Sequence, residues 1–385
     1  MNNYDFAHVG TTLVLAVALL SGGCSSESSS PASFDTPAGG TATWSIRTLD
    51  STGVVGEEAH IAVDSAGHVA VSYFNSTTGM IRCARLVGSS WTFADVGSSA
   101  GPYVTTGRNS IDLKGDGSPV VLYHKTDDAY CITSWTGAAW TAPAVIGWSE
   151  SAWAFLGRNA VAVNKTTSTI HAGLALYDSR NGSVMGYWQS PNASAVALDG
   201  PALGSTGRSM AIAVDGSGTV HVAYEYEATS TSTAILKYAR LSGGIWSVAT
   251  VDSIGDNGNF TSSLISLAVG PDGSPHIAYY AHFVGYKYAH WTGSTWEKSL
   301  VQAYASMGWC DQSIAVDKNG APHIALLMGS YKLLYATRSA GSWTIETVDA
   351  HTGFGPAIGV NGSGAIYIAY YDDNDNVLKL AVRTP

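Results

Sequence analysis

"IAVDGSGTVHVAYEY", residues 212–226, sets two short runs of apolar and β-branched residues on either side of a Gly-containing turn. Nearly the same phrase returns as "LAVGPDGSPHIAYY" (267–280) and "IAVDKNGAPHIALL" (314–327). Gly fits such turns because a tight hairpin needs positive φ there. A chain that repeats one hairpin is first of all a repeat protein, so the period has to be found before any domain is drawn.

Aligned on the residue that ends the first strand, the units fall at Asp64, Lys114, Asn164, Asp215, Gly270, Asp317 and Asn361, with spacings of 50, 50, 51, 55, 47 and 44 residues. Each unit continues with a variable loop, a third strand ("IRCAR", "LKYAR", "YKYAH", "LLYAT"), a second Gly turn and a Trp-led fourth strand ("SSWTFADV", "GIWSVATV", "GSWTIETV"). Four short strands in about 50 residues is the signature of a propeller blade. Neither a helical period nor a Leu-rich consensus competes with it.

The two ends test this reading. The seventh unit stops at "LKLAVRTP" (378–385) without a Trp-led strand, and the missing piece stands before the first unit, where "WSIRTLD" (44–50) matches "WTIETVD" (343–349). The expectation is an all-β, seven-bladed β-propeller over residues 43–385, four antiparallel strands per blade, with the last blade closed by the N-terminal strand.

The chain has 385 residues, 45% of them hydrophobic, with 20 Tyr and 12 Trp against only 12% charged, which is ample material for a core. A net charge of −10 with no Lys/Arg cluster excludes a phosphate-backbone partner, so nucleic acid is set aside. A monomer is expected.

Residues 11–24, "TTLVLAVALLSGGC", form an apolar run too short for a comfortable membrane span, and residues 1–23 read as a signal peptide. Leu20-Ser21-Gly22-Gly23-Cys24 resembles a bacterial lipobox. That resemblance implies a lipid on Cys24, a membrane contact by this anchor alone, and an outer-membrane or cell-surface location. An ordinary cleaved signal giving a secreted or periplasmic protein is the alternative. Residues 24–42, rich in Ser, Pro and Gly, read as a flexible stalk. Cys83 and Cys131 match between neighbouring repeats and Cys310 stands apart, so free, buried thiols are expected and no pairing is implied.

The endings Gly293-Ser-Thr-Trp296 and Gly341-Ser-Trp343 resemble the tail of the Asp-box (BNR-type) repeat of sialidase-like propellers, without its Asp. The whole unit is similar to repeats of bacterial surface and secreted proteins. This resemblance implies a fold rather than an activity.

In a propeller the loops leading into the innermost strands and those between second and third strands share one face. The former bring Glu57, Glu58, Arg108, Arg158, Arg208, Asn259, Trp309, Asp311 and Phe354 there. The three Arg stand in "GRNS", "GRNA" and "GRSM" at equal spacing, which suits either recognition of an anionic ligand by converging guanidinium forks or a recurrent inter-blade strut. The latter loops bring Asn75, His124, Lys125, Asp178, Arg180, Glu225, Tyr226, Glu227, His282, Asp372, Asp373 and Asp375. Aromatics mixed with carboxylates and amides suit sugar hydroxyls. "DDNDN" (372–376) offers oxygens to calcium but lacks the spacing of an EF-hand loop, and no other cofactor is implied.

His221, His276 and His323 occupy one place in three second strands, with His68 and His171 two places earlier when aligned on the strand's far end. Repetition marks them as structural, as it marks Trp91, Trp140, Trp246, Trp296 and Trp343. The expected function is a surface-tethered protein binding a glycan, acidic glycans included, with Arg108, Arg158, Arg208, Glu57, Glu58, Asn259, Trp309, Asp311, His124 and Glu225 as ligand contacts. The alternatives are a sialidase-like hydrolase or a polysaccharide lyase, drawing on carboxylates such as Glu57, Glu225 or Asp311, and third a protein-binding scaffold.

Overall fold

The computed structural model describes residues 43–99, 109–125, 129–148, 159–178, 182–192, 195–199, 204–228, 233–256, 265–303, 311–328, 332–350 and 354–385. They form seven sheets, each of four antiparallel strands. The innermost strands are Val55–Val63, Asn109–Leu113, Ala160–Val163, Gly204–Val214, Ile265–Val269, Gln312–Val316 and Phe354–Val360, for blades 1 to 7 in chain order. Each touches the innermost strand of the next blade, and that of blade 7 touches blade 1, so the ring closes.

Six blades use four consecutive strands, while blade 7 takes its outer strand from Ser45–Asp50, paired antiparallel with Val377–Arg383 from Ser45 opposite Val382 to Asp50 opposite Leu378. The repeat arithmetic is borne out in count and in closure.

Why second strands read as unbroken apolar runs follows from where the core sits. The hydrophobic clusters straddle neighbouring blades: Tyr123 joins Phe74, Tyr224 joins Tyr187, and Ile324 joins Tyr288. A middle strand therefore buries both of its faces, and Val69–Asn75 and Pro275–Ala281 are buried at every residue. Outer strands such as Trp296–Ala303 are exposed at half of their residues and fully buried only at Val301.

Polar side chains tie the ring together at fixed places. The strand-end acid is a turn residue: Asp215 Oδ1 accepts the N–H groups of Ser217 and Thr219, and Asp317 Oδ1 those of Asn319 and Ala321, while Gly218 and Gly320 take φ of +85° and +81°. The acid that ends "TVD" latches the next blade. Tyr279 OH donates to Asp252 at 2.7 Å, Tyr370 OH to Asp349 at 2.8 Å, and across the closing seam Tyr73 OH donates to Asp50 at 2.5 Å. Nearer the axis, inner-strand N–H groups of Val161, Ile265, Ile314 and Ile358 donate to Ser110, Ser209, Ser266 and Ser313 of the preceding blade at 3.0–3.2 Å. Cys83 and Cys131 are buried and in no disulfide, and burial pushes the Cys83 thiol up to about 12.

Candidate functional site

Of the ten expected ligand contacts, five are described with their side chains. Glu57 and Glu58 are half-buried in the first strand of blade 1, Glu58 at φ +52°, with its carbonyl accepting from Asn109 Nδ2 at 3.0 Å. His124 is buried, its ring edge-on to Tyr130 at 5.0 Å. Glu225 and Asp311 are buried as well, at 1% and 8% exposure. Arg108, Arg158, Asn259, Trp309, Cys310 and Cys24 lie outside the described residues, and of Arg208 only the backbone is described.

Arg208 nonetheless differs from the other two. Strand pairing steps from Thr206 opposite Tyr226 to Met210 opposite Tyr224, an irregularity that holds Arg208 within it. Arg208 stands seven residues before Asp215, whereas Arg108 and Arg158 stand six before Lys114 and Asn164. Equal spacing along the chain therefore leaves Arg208 one residue further from its turn than the other two. In "DDNDN", Asp372 accepts the N–H groups of Asn374 and Asp375 and is paired with Lys379. No group of three or more His, Cys, Asp or Glu suited to a metal ion occurs among the described residues.

A different arrangement appears on the opposite face, where the Gly turns lie. At four consecutive seams a His at the start of the second strand meets a Tyr hydroxyl of the third: His171 with Tyr187 at 2.7 Å, His221 with Tyr238 at 2.6 Å, His276 with Tyr288 at 2.6 Å, His323 with Tyr335 at 2.5 Å. The Trp of the next blade packs edge-on against each Tyr, Trp246, Trp296, Trp343 and Trp44 at centroid distances of 5.0, 5.1, 5.2 and 5.3 Å. Repetition was a sound sign of structural work. The offset given to His171 is corrected: it pairs opposite Gln189 as His221 pairs opposite Arg240, each two residues beyond the seam Tyr. His68 takes another role, bonded to Asp64 in its own turn at 2.6 Å.

Between blades 5 and 6 this ladder borders a cleft of about 610 Å³, lined on the blade 5 side by His276, Tyr288, His290 and Glu297. Across it lie Arg338 and the two turns 319–322 and 339–341 of blade 6. Arg338 Nη2 donates to Glu297 Oε1 at 2.5 Å, and its guanidinium stands 5.9 Å from the Tyr288 ring centre. That hydrogen bond holds the Glu297 carboxyl below the usual range.

The protonation pattern deeper in the cleft follows from counting donors. Ser274 Oγ donates its single proton to Asp272 Oδ1 at 2.6 Å, so the Nε2 atoms of His276 and His290, each 3.2 Å from Oγ, must both donate to it. His276 then carries its proton on Nε2 and accepts from Tyr288 OH on Nδ1. The two imidazole rings lie 4.3 Å apart. Burial pushes His276 down to about 4, aided by the neighbouring His290.

The next seam repeats the outer part of this arrangement. Arg383 Nη1 donates to Glu346 Oε1 at 2.5 Å, and its guanidinium lies 5.6 Å from the Tyr335 centroid and 5.9 Å from that of Trp44. Trp44 Nε1 also donates to Glu346, at 2.7 Å. At the seams before, the place of Arg338 opposite the seam Trp is taken by Trp291 and by Leu241. The place of His290 is taken by Thr337 in blade 6. Glu297, Arg338 and His290 were missed because attention went to what repeats on the loop face. The available signal was the reverse, polar residues that break the repeat beside the seam Tyr and Trp.

No protein-family model matches the sequence, and no curated protein matches it. Solved structures do resemble the fold. An Aleuria aurantia lectin variant in complex with Fucalpha1-6GlcNAc superposes with a TM-score of 0.52 at 15% identity, over 77% of this chain and 98% of that one. SapL1 lectin in complex with alpha methyl fucoside gives 0.50 at 13% identity, over 77% and 99%. The Aleuria aurantia lectin, described as a six-bladed β-propeller with a novel fucose recognition mode, gives 0.49 at 14% identity, over 85% and 96%. This chain is a ring of seven four-stranded blades, and its likeness to these structures is one of fold alone.

Proposed function

We propose that the protein is a glycan-binding propeller that takes a neutral, hydroxyl-rich sugar at its inter-blade seams, with fucosides as the first class to try. One observation carries this reading: the paired guanidinium and carboxylate of Arg338 and Glu297 lining an open cleft. A sugar hydroxyl is donor and acceptor at once, so adjacent hydroxyls can donate to Glu297 and accept from Arg338. That propellers of similar fold bind fucosides is consistent with it. Of the carboxylates a hydrolase would draw on from the loop face, Glu225 and Asp311 are buried and Glu57 is half-buried.

Two finer elements belong to the same proposal. Cys24 and the stalk of residues 24–42 would tether the propeller to a membrane outside the cytoplasm, a reading that a lipid mass on the mature protein tests. Arg108, Arg158 and Arg208 would extend recognition to acidic sugars on the loop face. A glycan panel of neutral and acidic sugars, read for binding and for product, tests the whole. Neutral fucosides should bind without turnover, and Arg338→Ala should weaken them about tenfold, the loss of one charge-assisted contact. Binding unaffected by Arg338→Ala would move the site elsewhere, and product formation would make the protein an enzyme.

A further inference from the structure

His290 is the feature of the cleft that the seam ladder does not explain. It is half-buried, lines the cleft, and has no counterpart at the next seam, where Thr337 stands. Because Ser274 Oγ already gives its proton to Asp272, the neutral His290 ring donates through Nε2 and keeps Nδ1 as an acceptor. An acceptor nitrogen beside the Arg338 and Glu297 pair is a third point at which a sugar hydroxyl can be read.

We propose that His290 accepts a hydroxyl of the bound sugar through Nδ1, and that acidification releases the sugar from this cleft by placing a proton there. The inference rests on the glycan reading above. The groups that face His290 are its neighbour His276 on the second strand, Asp272 in the first turn, Glu297 on the outer strand and Arg338 from blade 6; the lining residues 319–322 add no charge. Burial disfavours the imidazolium most, Asp272 and Glu297 favour it, and Arg338 opposes it, leaving His290 below its ordinary value. His276 is held by two hydrogen bonds whose directions are fixed, so protonating it would force the Tyr288 hydroxyl to turn. His290 has no such lock on Nδ1 and is the ring that changes first. Its protonation turns an acceptor into a donor and sets a positive charge beside Arg338, both of which oppose the ligand pose that neutral His290 supports.

The 6/7 seam, with Thr337 at this place, has no such group and serves as the internal control. Isothermal titration with methyl α-L-fucoside at about pH 7.5 and about pH 5 tests the inference. Occupancy of two seams should fall to one on acidification, with affinity at the 5/6 cleft down about tenfold. His290→Gln, which keeps a neutral side chain, should bind equally at both values. Asp272→Asn removes a carboxylate that favours the imidazolium, so release should shift to lower pH. Melting curves of each variant confirm the folded fraction. Wild-type binding that is the same at both pH values, or an equal acid loss in His290→Gln, overturns the pH gate and leaves the glycan reading standing. No binding of the fucoside at about pH 7.5 removes the glycan reading, and this inference with it.

Discussion

His171, His221, His276 and His323 each meet a Tyr hydroxyl through Nδ1 at a seam, and the fold holds all four below their ordinary value, His171 and His276 to about 4, chiefly by burial. A His whose folded value is depressed favours folding in its neutral form. Its contribution is complete above the unfolded value of about 6.5 and is lost as the pH falls through 6.5 toward the folded value, because the unfolded chain then binds the extra proton. His171 and His276 should each remove on the order of 2 kcal/mol by about pH 4. Melting temperature should hold steady from about pH 8 to 7 and then fall, and His276→Gln should flatten that fall at some cost in stability near neutrality. A melting temperature unchanged down to about pH 4.5 would mean these rings are not buried neutral. At this scale the sequence spoke clearly about the repeated His and Trp. It was silent about His290, Glu297 and Arg338, because their meaning arises only when strands of two blades meet.

Ser45–Asp50 is fully buried only at Asp50, as an outer strand should be, so hydrophobic burial is not what makes it matter. Its weight lies at its ends. Trp44 packs on Tyr335 of blade 6, and Asp50 accepts from Tyr73 and from Arg82, at 2.5 and 2.7 Å, in blade 1. Burial alone would raise the Asp50 carboxyl, but the hydrogen bonds from Tyr73 and Thr52, with Arg82, outweigh it and hold the group below the usual range. Removing residues through Asp50 takes away the outer strand of blade 7 and leaves the Tyr73 hydroxyl and the Arg82 guanidinium without this carboxylate. Hydrogen bonds to charged groups contribute about 1.5–3 kcal/mol each, so a loss of roughly 10 °C or more in melting temperature is expected. Calorimetry of the truncated chain decides it: an unchanged cooperative transition would show that the strand is not closing the ring. This element was legible before any coordinates, since "WSIRTLD" repeats "WTIETVD" and the last unit lacks that strand. Register inside a strand was less so. The irregularity around Arg208 leaves the chain spacing untouched and shows only in the pairing.

The ring as a whole sets how many sites the chain can offer. Blade count and closure could be read from the period because turn Gly residues and Trp-led strands recur in nearly every unit, a local chemistry that long-range packing does not alter. A cleft between blades has no such signature: at one seam the carboxylate comes from Glu297, next to the seam Trp296, and at the following seam from Glu346, three residues after Trp343. These two seams share the guanidinium, the carboxylate, the Tyr and the Trp, and they lie one blade apart on the same face, rigidly held by inter-blade bonds. Such a pair should engage two sugars of one densely displayed surface at once, and a second contact made within the same complex raises apparent affinity by about 10²- to 10⁴-fold without any new interaction. Surface-immobilised polyvalent fucoside should therefore retain the wild type far longer than free methyl fucoside affinity suggests. Arg338→Ala and Arg383→Ala should each return retention to the single-site level, and the double variant should abolish it. The Arg383 to Glu346 pair is partly exposed, at 27% and 39% for the two side chains, so losing it should cost folding only about 0–1 kcal/mol. If Arg383→Ala instead lowers the melting temperature by several degrees while retention is unchanged, that pair is a strut at the 6/7 seam and the molecule binds through one cleft.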